Sequence, residues 1–187
     1  MAVERLVQAR IQVRDIAPHP SEKLLSHDQA CAFVSAAHAY GKTVILVEGV
    51  WDLTHPGHVQ HIREAKKYAD LVLLKLASSD YAKFYKGKDR PIEPFRDMMV
   101  SELENVDAVL VEESVTPAES VAENARLLVQ LRPDKVAMEI EDEQFQMKFK
   151  SVDYANRHLG AHIDPVVMVL PYVVSTTAIV KKIREMK

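Results

Sequence analysis

The chain has 187 residues, 48% of them hydrophobic and 27% charged, with a formal net charge of −3. That is the composition of one globular domain with apolar material for one core, and it excludes a global field for nucleic acid or anionic membrane. A single cysteine, Cys31, excludes an internal disulfide and fits a reducing compartment; Met1 to Arg5 lacks a signal-peptide pattern, and the longest apolar run, Val166 to Leu170, is too short to span a bilayer, so the cytoplasm is expected.

Residues 1–24 mix charges, prolines and short apolar runs and form an N-terminal extension; within it Met1 to Val13 reads as a strand or an arm, ended by Ala17-Pro18-His19-Pro20. Ser26 and Gln29 form a capping box, after which Ala30, Phe33, Val34 and Ala37 share one helical face and Gly41 stops the helix. Thr43 to Val47 is a strand, His55 to Ala69 a helix, Leu71 to Ala77 a second strand, Pro94 to Leu103 a helix and Asp107 to Val111 a third strand. A second capping box, Thr116 to Glu119, opens a helix that runs to about Leu131. Lys135 to Ile140 is the fourth strand, Asp142 to Leu159 a helix stopped by Gly160, Val166 to Leu170 the fifth strand, and Thr176 to Glu185 the closing helix. Strands that are apolar on both faces and alternate with helices predict an α/β domain over 25–187, a doubly wound parallel five-stranded sheet of Rossmann-like type. Such sheets bind ligands beyond the carboxyl ends of their strands.

Three segments at that edge carry unusual residues. After the first strand, Gly49 allows a tight turn, Pro56 opens a helix, and His55 and His58, three apart, share one face at its positive end, where Gly57 lets a ligand approach the backbone. This is an anion site with two imidazole donors. The bland alternative has one histidine capping the helix and the other packing on the sheet; a further one is a metal site from Asp52, His55 and His58. After the second strand, Lys83, Lys86, Lys88 and Arg90 surround Gly87, with Arg96 following. A run of this kind is either a solvated loop or, at this edge, a polyphosphate clamp. After the fifth strand, Ser175, Thr176 and Thr177 open the last helix. One hydroxyl suffices as a cap; three with free N–H groups suit a phosphate.

In this order and spacing, the segments resemble the cytidylyltransferase-like nucleotidyltransferase superfamily. Gly49 to His58 matches its G-x-F-D-x-x-H-x-G-H signature with Trp51 in place of Phe, and Ser175 to Val180 matches its closing S-[ST]-T-x-[IL]-[IVR] motif. The chain is similar to the heptose 1-phosphate adenylyltransferase domain from about Lys23 to Arg184, through Lys86 to Ile92 with Pro94, Val106 to Val109, Leu131 to Asp134 and Ser175 to Ile179.

The resemblance implies transfer of AMP from ATP to a sugar or polyol phosphate with release of pyrophosphate, Mg²⁺ arriving with the NTP and no metal held by the protein. It implies that His55 and His58 contact the phosphates in the transition state and that Lys86 holds them. Gly49, Val50, Trp51, Asp52, Gly57, Lys88, Arg90, Arg96, Ser175, Thr176 and Thr177 would line the nucleotide and phosphate site. The partners implied are an NTP and a small phosphorylated acceptor, with neither nucleic acid nor membrane; a homo-oligomer is compatible. The alternatives are a cytidylyltransferase for glycerol phosphate or a similar acceptor, and a catalytically retired nucleotide-binding protein. Four departures stand out: Glu48 where this branch has Asn, Ser78-Ser79-Asp80 for Asn-Ser-Asp, a Pro94-to-Arg96 spacing shorter by two, and Met138-Glu139-Ile140-Glu141-Asp142 in place of a Lys-Gly-Gly-Asp-Tyr stretch. The acidic replacement predicts an acceptor other than heptose 1-phosphate.

Overall fold

Strand β2 (Val44–Gly49) shows why the sheet must be covered on both sides. Val44 and Leu46 join a core cluster with Ala30, Val34, Leu128 and Val152. Ile45 and Val47 join a second cluster with Ile62, Ala65 and Val100. Successive strand side chains point to opposite faces, so an uninterrupted apolar run needs helices on each.

The computed structural model describes residues 22–86, 95–111, 121–140, 144–170 and 176–186, without the side chains of 84–86. In chain order the elements are β1 (Leu24–Leu25), α1 (His27–Ala39), β2, α2 (Pro56–Ala65), β3 (Leu71–Leu76), α3 (Ser79–Lys86), α4 (Arg96–Ser101), β4 (Ala108–Val111), α5 (Val121–Leu131), β5 (Lys135–Glu139), α6 (Phe145–His158), β6 (Asp164–Met168) and α7 (Thr176–Glu185). A short 3₁₀ turn, Lys66–Tyr68, ends α2. The sheet has six strands in the order β1-β4-β3-β2-β5-β6, all pairs parallel.

The doubly wound reading holds, with three adjustments. A sixth strand is added where Leu24 and Leu25 pair with Val109 and Leu110, so the sheet begins inside the segment read as an extension. Two residues carry no periodicity, and only the partner strand makes them a strand. Ser79–Lys86 is helical, where a basic loop was expected to begin; Ser78 Oγ accepts from the Tyr81 amide at 3.1 Å and starts it. β6 begins at Asp164 and includes Pro165, which an edge strand tolerates. The first capping box forms as read: the Gln29 amide donates to Ser26 Oγ and the Ser26 amide to Gln29 Oε1, at 3.3 and 2.8 Å. The second, Thr116 to Glu119, lies outside the described residues.

The strand order reverses beside β2. From β2 the chain moves to β3 on one side, and from β4 it crosses back to β5 on the other. The crevice beyond the carboxyl ends of β2 and β5 is therefore the topological switch point, the expected ligand position in an open α/β sheet. Among the described residues no helix is long and apolar enough to cross a membrane.

Candidate active site

The turn after β2 is shaped by backbone that L-residues rarely adopt. Trp51 and Leu53 have φ of 55° and 48°. Non-glycine residues in the left-handed region persist only when the surroundings hold them there. Here the Trp51 indole is 3% exposed, and its Nε1 donates to the Lys75 carbonyl at 3.4 Å. A Cβ at Gly49 would lie 3.0 Å from that Nε1. Glycine at 49 is thus required by the close approach of the indole, and its φ is not in the left-handed region, so the tight-turn explanation is replaced. Trp51 itself packs in the core cluster with Ile45, Val47 and Ile62.

His55 is the N-cap of α2, and its Nδ1 accepts from the Gly57 amide at 3.1 Å. A ring nitrogen that accepts an amide hydrogen bond carries no proton, so the neutral ring has its N–H at Nε2. That Nε2 is buried and has no hydrogen-bond partner among the described residues. The His58 ring stacks on His55 with centroids 3.9 Å apart and tilts against Trp51 at 5.1 Å. Burial, then the neighbouring His55 and His61, push the His58 imidazole down to about 3, and burial lowers His55 as well. Both rings are therefore neutral near pH 7, each with one N–H to give. The capping reading holds for His55, whose Nδ1 caps the helix, and its Nε2 is left without a partner among the described residues. His55 Nδ1 is taken up by the cap, and among the described residues no group of three or more His, Cys, Asp or Glu is arranged to hold a metal ion.

Thr176, the first residue of α7, donates from Oγ1 to the Asp52 carbonyl at 2.9 Å across 124 residues. The hydroxyl motif and the histidine motif thus meet at one point. Asp52 is buried, and Thr177 follows on the exposed side of α7.

Arg96 sits differently from the phosphate ligand it resembles. It is 3% exposed, and its guanidinium donates to the carbonyls of Val50 and Ala77 and to Ser79 Oγ. It clasps the turn after β2, the end of β3 and the start of α3. Lys86 ends α3, its side chain outside the description; Lys88, Arg90 and Ser175 also lie outside the described residues.

Glu48 has a buried partner. It pairs in register with Lys75 on β3, and Lys75 Nζ lies 3.2 Å from Glu48 Oε1. Lys148 on α6 donates to the Glu48 carbonyl at 3.1 Å. The acid is thus neutralised inside the sheet, and no cation of the basic loop has to offset it. Lys75 carried a readable signal, a lone cation in the apolar run Leu71–Leu76; Lys148 carried none. Two further contacts were not read. Gln144 Nε2 donates to the Tyr81 hydroxyl at 2.7 Å, and His61 Nδ1 lies 3.5 Å from Glu139 Oε2.

The family model described as Cytidylyltransferase-like matches residues 46–182. The bifunctional protein HldE of Nitratiruptor sp. is 30% identical over 177 residues, which is 91% of this chain and 34% of that protein. HldE of Erwinia tasmaniensis is 31% identical over 125 residues, 66% of this chain and 25% of that protein. The chain thus spans about a third or less of the relatives it matches. Among solved structures, the lipopolysaccharide core biosynthesis protein of Thermoplasma volcanium superposes with a TM-score of 0.55 at 21% identity, covering 68% of this chain and 97% of that one. Pantoate-beta-alanine ligase of Francisella tularensis gives a TM-score of 0.56 at 12% identity, covering 87% and 77%; these two establish the fold alone. With a family match across its histidine and hydroxyl motifs alike, the chain belongs to the cytidylyltransferase-like family of nucleotidyltransferases.

Proposed function

We propose that this nucleotidyltransferase transfers AMP from Mg·ATP to a sugar or polyol phosphate in the cytoplasm and releases pyrophosphate. The observation that carries the reading is His55: capped at Nδ1 and left with a buried Nε2–H at the positive end of α2, next to the stacked His58. A donor fixed in this way costs no reorganisation when charge develops on a phosphate. The acceptor's phosphate oxygen attacks the α-phosphorus in line, the bond to the β-phosphate breaks, and pyrophosphate departs with Mg²⁺. The nucleophile is already anionic, so no general base is required, and catalysis consists of positioning and charge stabilisation. The choice of ATP rests on the resemblance of Lys86 to Ile92 and Ser175 to Ile179. The retired-protein alternative loses one support, because the Glu48 charge it relied on is paired with Lys75. Screening four NTPs against sugar and polyol phosphates for pyrophosphate release tests the reading. The expected result is turnover with ATP. A preference for CTP with glycerol phosphate would replace the donor, and nucleotide binding without turnover on any acceptor would overturn the activity.

A further inference from the structure

One turn beyond His58 on α2, His61 is 9% exposed and faces Glu139, with Nδ1 3.5 Å from Oε2. Its Nε2 is buried and has no hydrogen-bond partner among the described residues. The Trp51 indole tilts against His61 at 5.8 Å and against His58 at 5.1 Å, so an unbroken set of contacts runs from Glu139 to the phosphate histidines. Glu139 is the last residue of β5, two beyond Ala137, which pairs with Val47; its carboxylate therefore lies at the level of Gly49, on the far side of the switch point from β3. Its side chain keeps 29% of its surface exposed.

A half-buried carboxylate at this edge is a poor stability device. Burying the imidazole opposite it costs desolvation that a contact of this length barely repays. It is also the wrong charge for a phosphate cradle. It suits a neutral, hydroxyl-bearing group, from which it accepts hydrogen bonds, and it repels a second anion. On the nucleotidyl-transfer reading the pyrophosphate end of the NTP lies at the N-terminus of α2, which leaves the end of β5, across the switch point, for the acceptor.

We propose that Glu139 selects the acceptor: its carboxylate accepts hydrogen bonds from the hydroxyls of a sugar or polyol carrying one phosphate, and it turns away acceptors with a second anionic group there. His61 is a positioning residue that fixes the carboxylate. The proposal rests on the nucleotidyl-transfer reading and deepens it.

The test compares Glu139→Gln, Glu139→Lys and His61→Phe with the wild type. Readouts are KM for a hexose 1-phosphate, KM for ATP, and the ratio of kcat/KM for the hexose 1-phosphate to that for the hexose 1,6-bisphosphate. Glu139→Gln is expected to raise the acceptor KM about tenfold, the usual effect of losing a charge-assisted hydrogen bond, while the ATP KM stays put. Glu139→Lys is expected to bring the bisphosphate up to or past the monophosphate. His61→Phe is expected to reproduce part of the acceptor effect, and adding Glu139→Gln to it to do less than it does alone. An unchanged acceptor KM in Glu139→Gln, or an equal rise in the ATP KM, would overturn the proposal. Should the wild type release no pyrophosphate with any acceptor, calorimetric binding of the two hexose phosphates in the presence of a non-hydrolysable ATP analogue separates the cases. Weaker monophosphate binding by Glu139→Gln upholds the acceptor site while turnover fails, and binding equal to wild type, or none to either protein, removes both.

Discussion

At the N-terminus of α2 His55 caps the helix and His58 stacks on it, and single substitutions separate the proposed phosphate contacts from the fold. His55→Ala and His58→Ala are each expected to lower turnover about 100-fold, the typical effect of removing one preorganised donor; near-normal rates by steady-state assay would show that neither meets developing charge. His55→Ala also loses the cap to Gly57, worth about 1 kcal/mol, which a urea melt reads separately. His58 makes a prediction of its own about pH. In the unfolded chain its imidazole titrates at the ordinary 6.5, whereas in the fold it is pushed down to about 3. Between these values the unfolded chain binds a proton that the folded chain refuses, so stability falls as pH drops below 6.5 and the loss is complete near 3. The slope approaches 1.4 kcal/mol per pH unit. His55, lowered in the same direction, adds to it. His58→Leu should flatten the fall of melting temperature between pH 6.5 and pH 4; an unchanged slope would place the titration elsewhere.

At the scale of elements, β2 and β3 are joined by their hydrogen-bond ladder and also by the buried Glu48–Lys75 pair at its carboxyl end. A pair this deep is dear to break and cheap to replace. Glu48→Gln or Lys75→Met alone is expected to cost about 3 kcal/mol, because each breaks a buried ion pair from one side, whereas Glu48→Met with Lys75→Met should cost less than the two single changes together. Urea denaturation of the two single variants and the double variant closes this cycle, and additive losses would refute the pairing. The element most visible in the sequence was α1, where Ser26 and Gln29 satisfy each other locally. The least visible were β1 and α3. Leu24–Leu25 exists as a strand because Val109 and Leu110 lie beside it, and the helix at Ser79 is fixed by Arg96 from outside and, through Tyr81, by Gln144 from 63 residues away.

In the whole molecule, Arg96 and Thr176 hold the site together over long stretches of chain. Arg96 bonds three segments at once, and Arg96→Met should loosen the turn after β2 with its left-handed Trp51 and Leu53. The expected result is a loss of stability together with a fall in kcat exceeding tenfold, since a misplaced catalytic group can cost about 100-fold. A variant that is destabilised yet fully active would show the clasp to be structural only. Thr176→Val removes the bond from α7 to Asp52. Amide hydrogen exchange in Thr176–Glu185 should then accelerate while β2 and β3 keep their protection; unchanged exchange would mean that other contacts seat the helix.

The residue order by itself determined the doubly wound class, most strand positions and the HxGH and hydroxyl motifs, because each is written in local spacing: a run apolar on both faces, a cap with its partner three residues on, two histidines one turn apart. The tertiary structure alone decided what depends on distance through space. It turned Arg96 inward onto the carbonyls of Val50 and Ala77, explained Gly49 by the indole it must pass, neutralised Glu48 with Lys75 across the sheet and set Glu139 against His61. These partners lie 27 residues apart for Glu48 and Lys75 and 46 for Arg96 and Val50. No periodicity links positions so far apart; only the parallel register of the strands and the reversal beside β2 bring them to one edge.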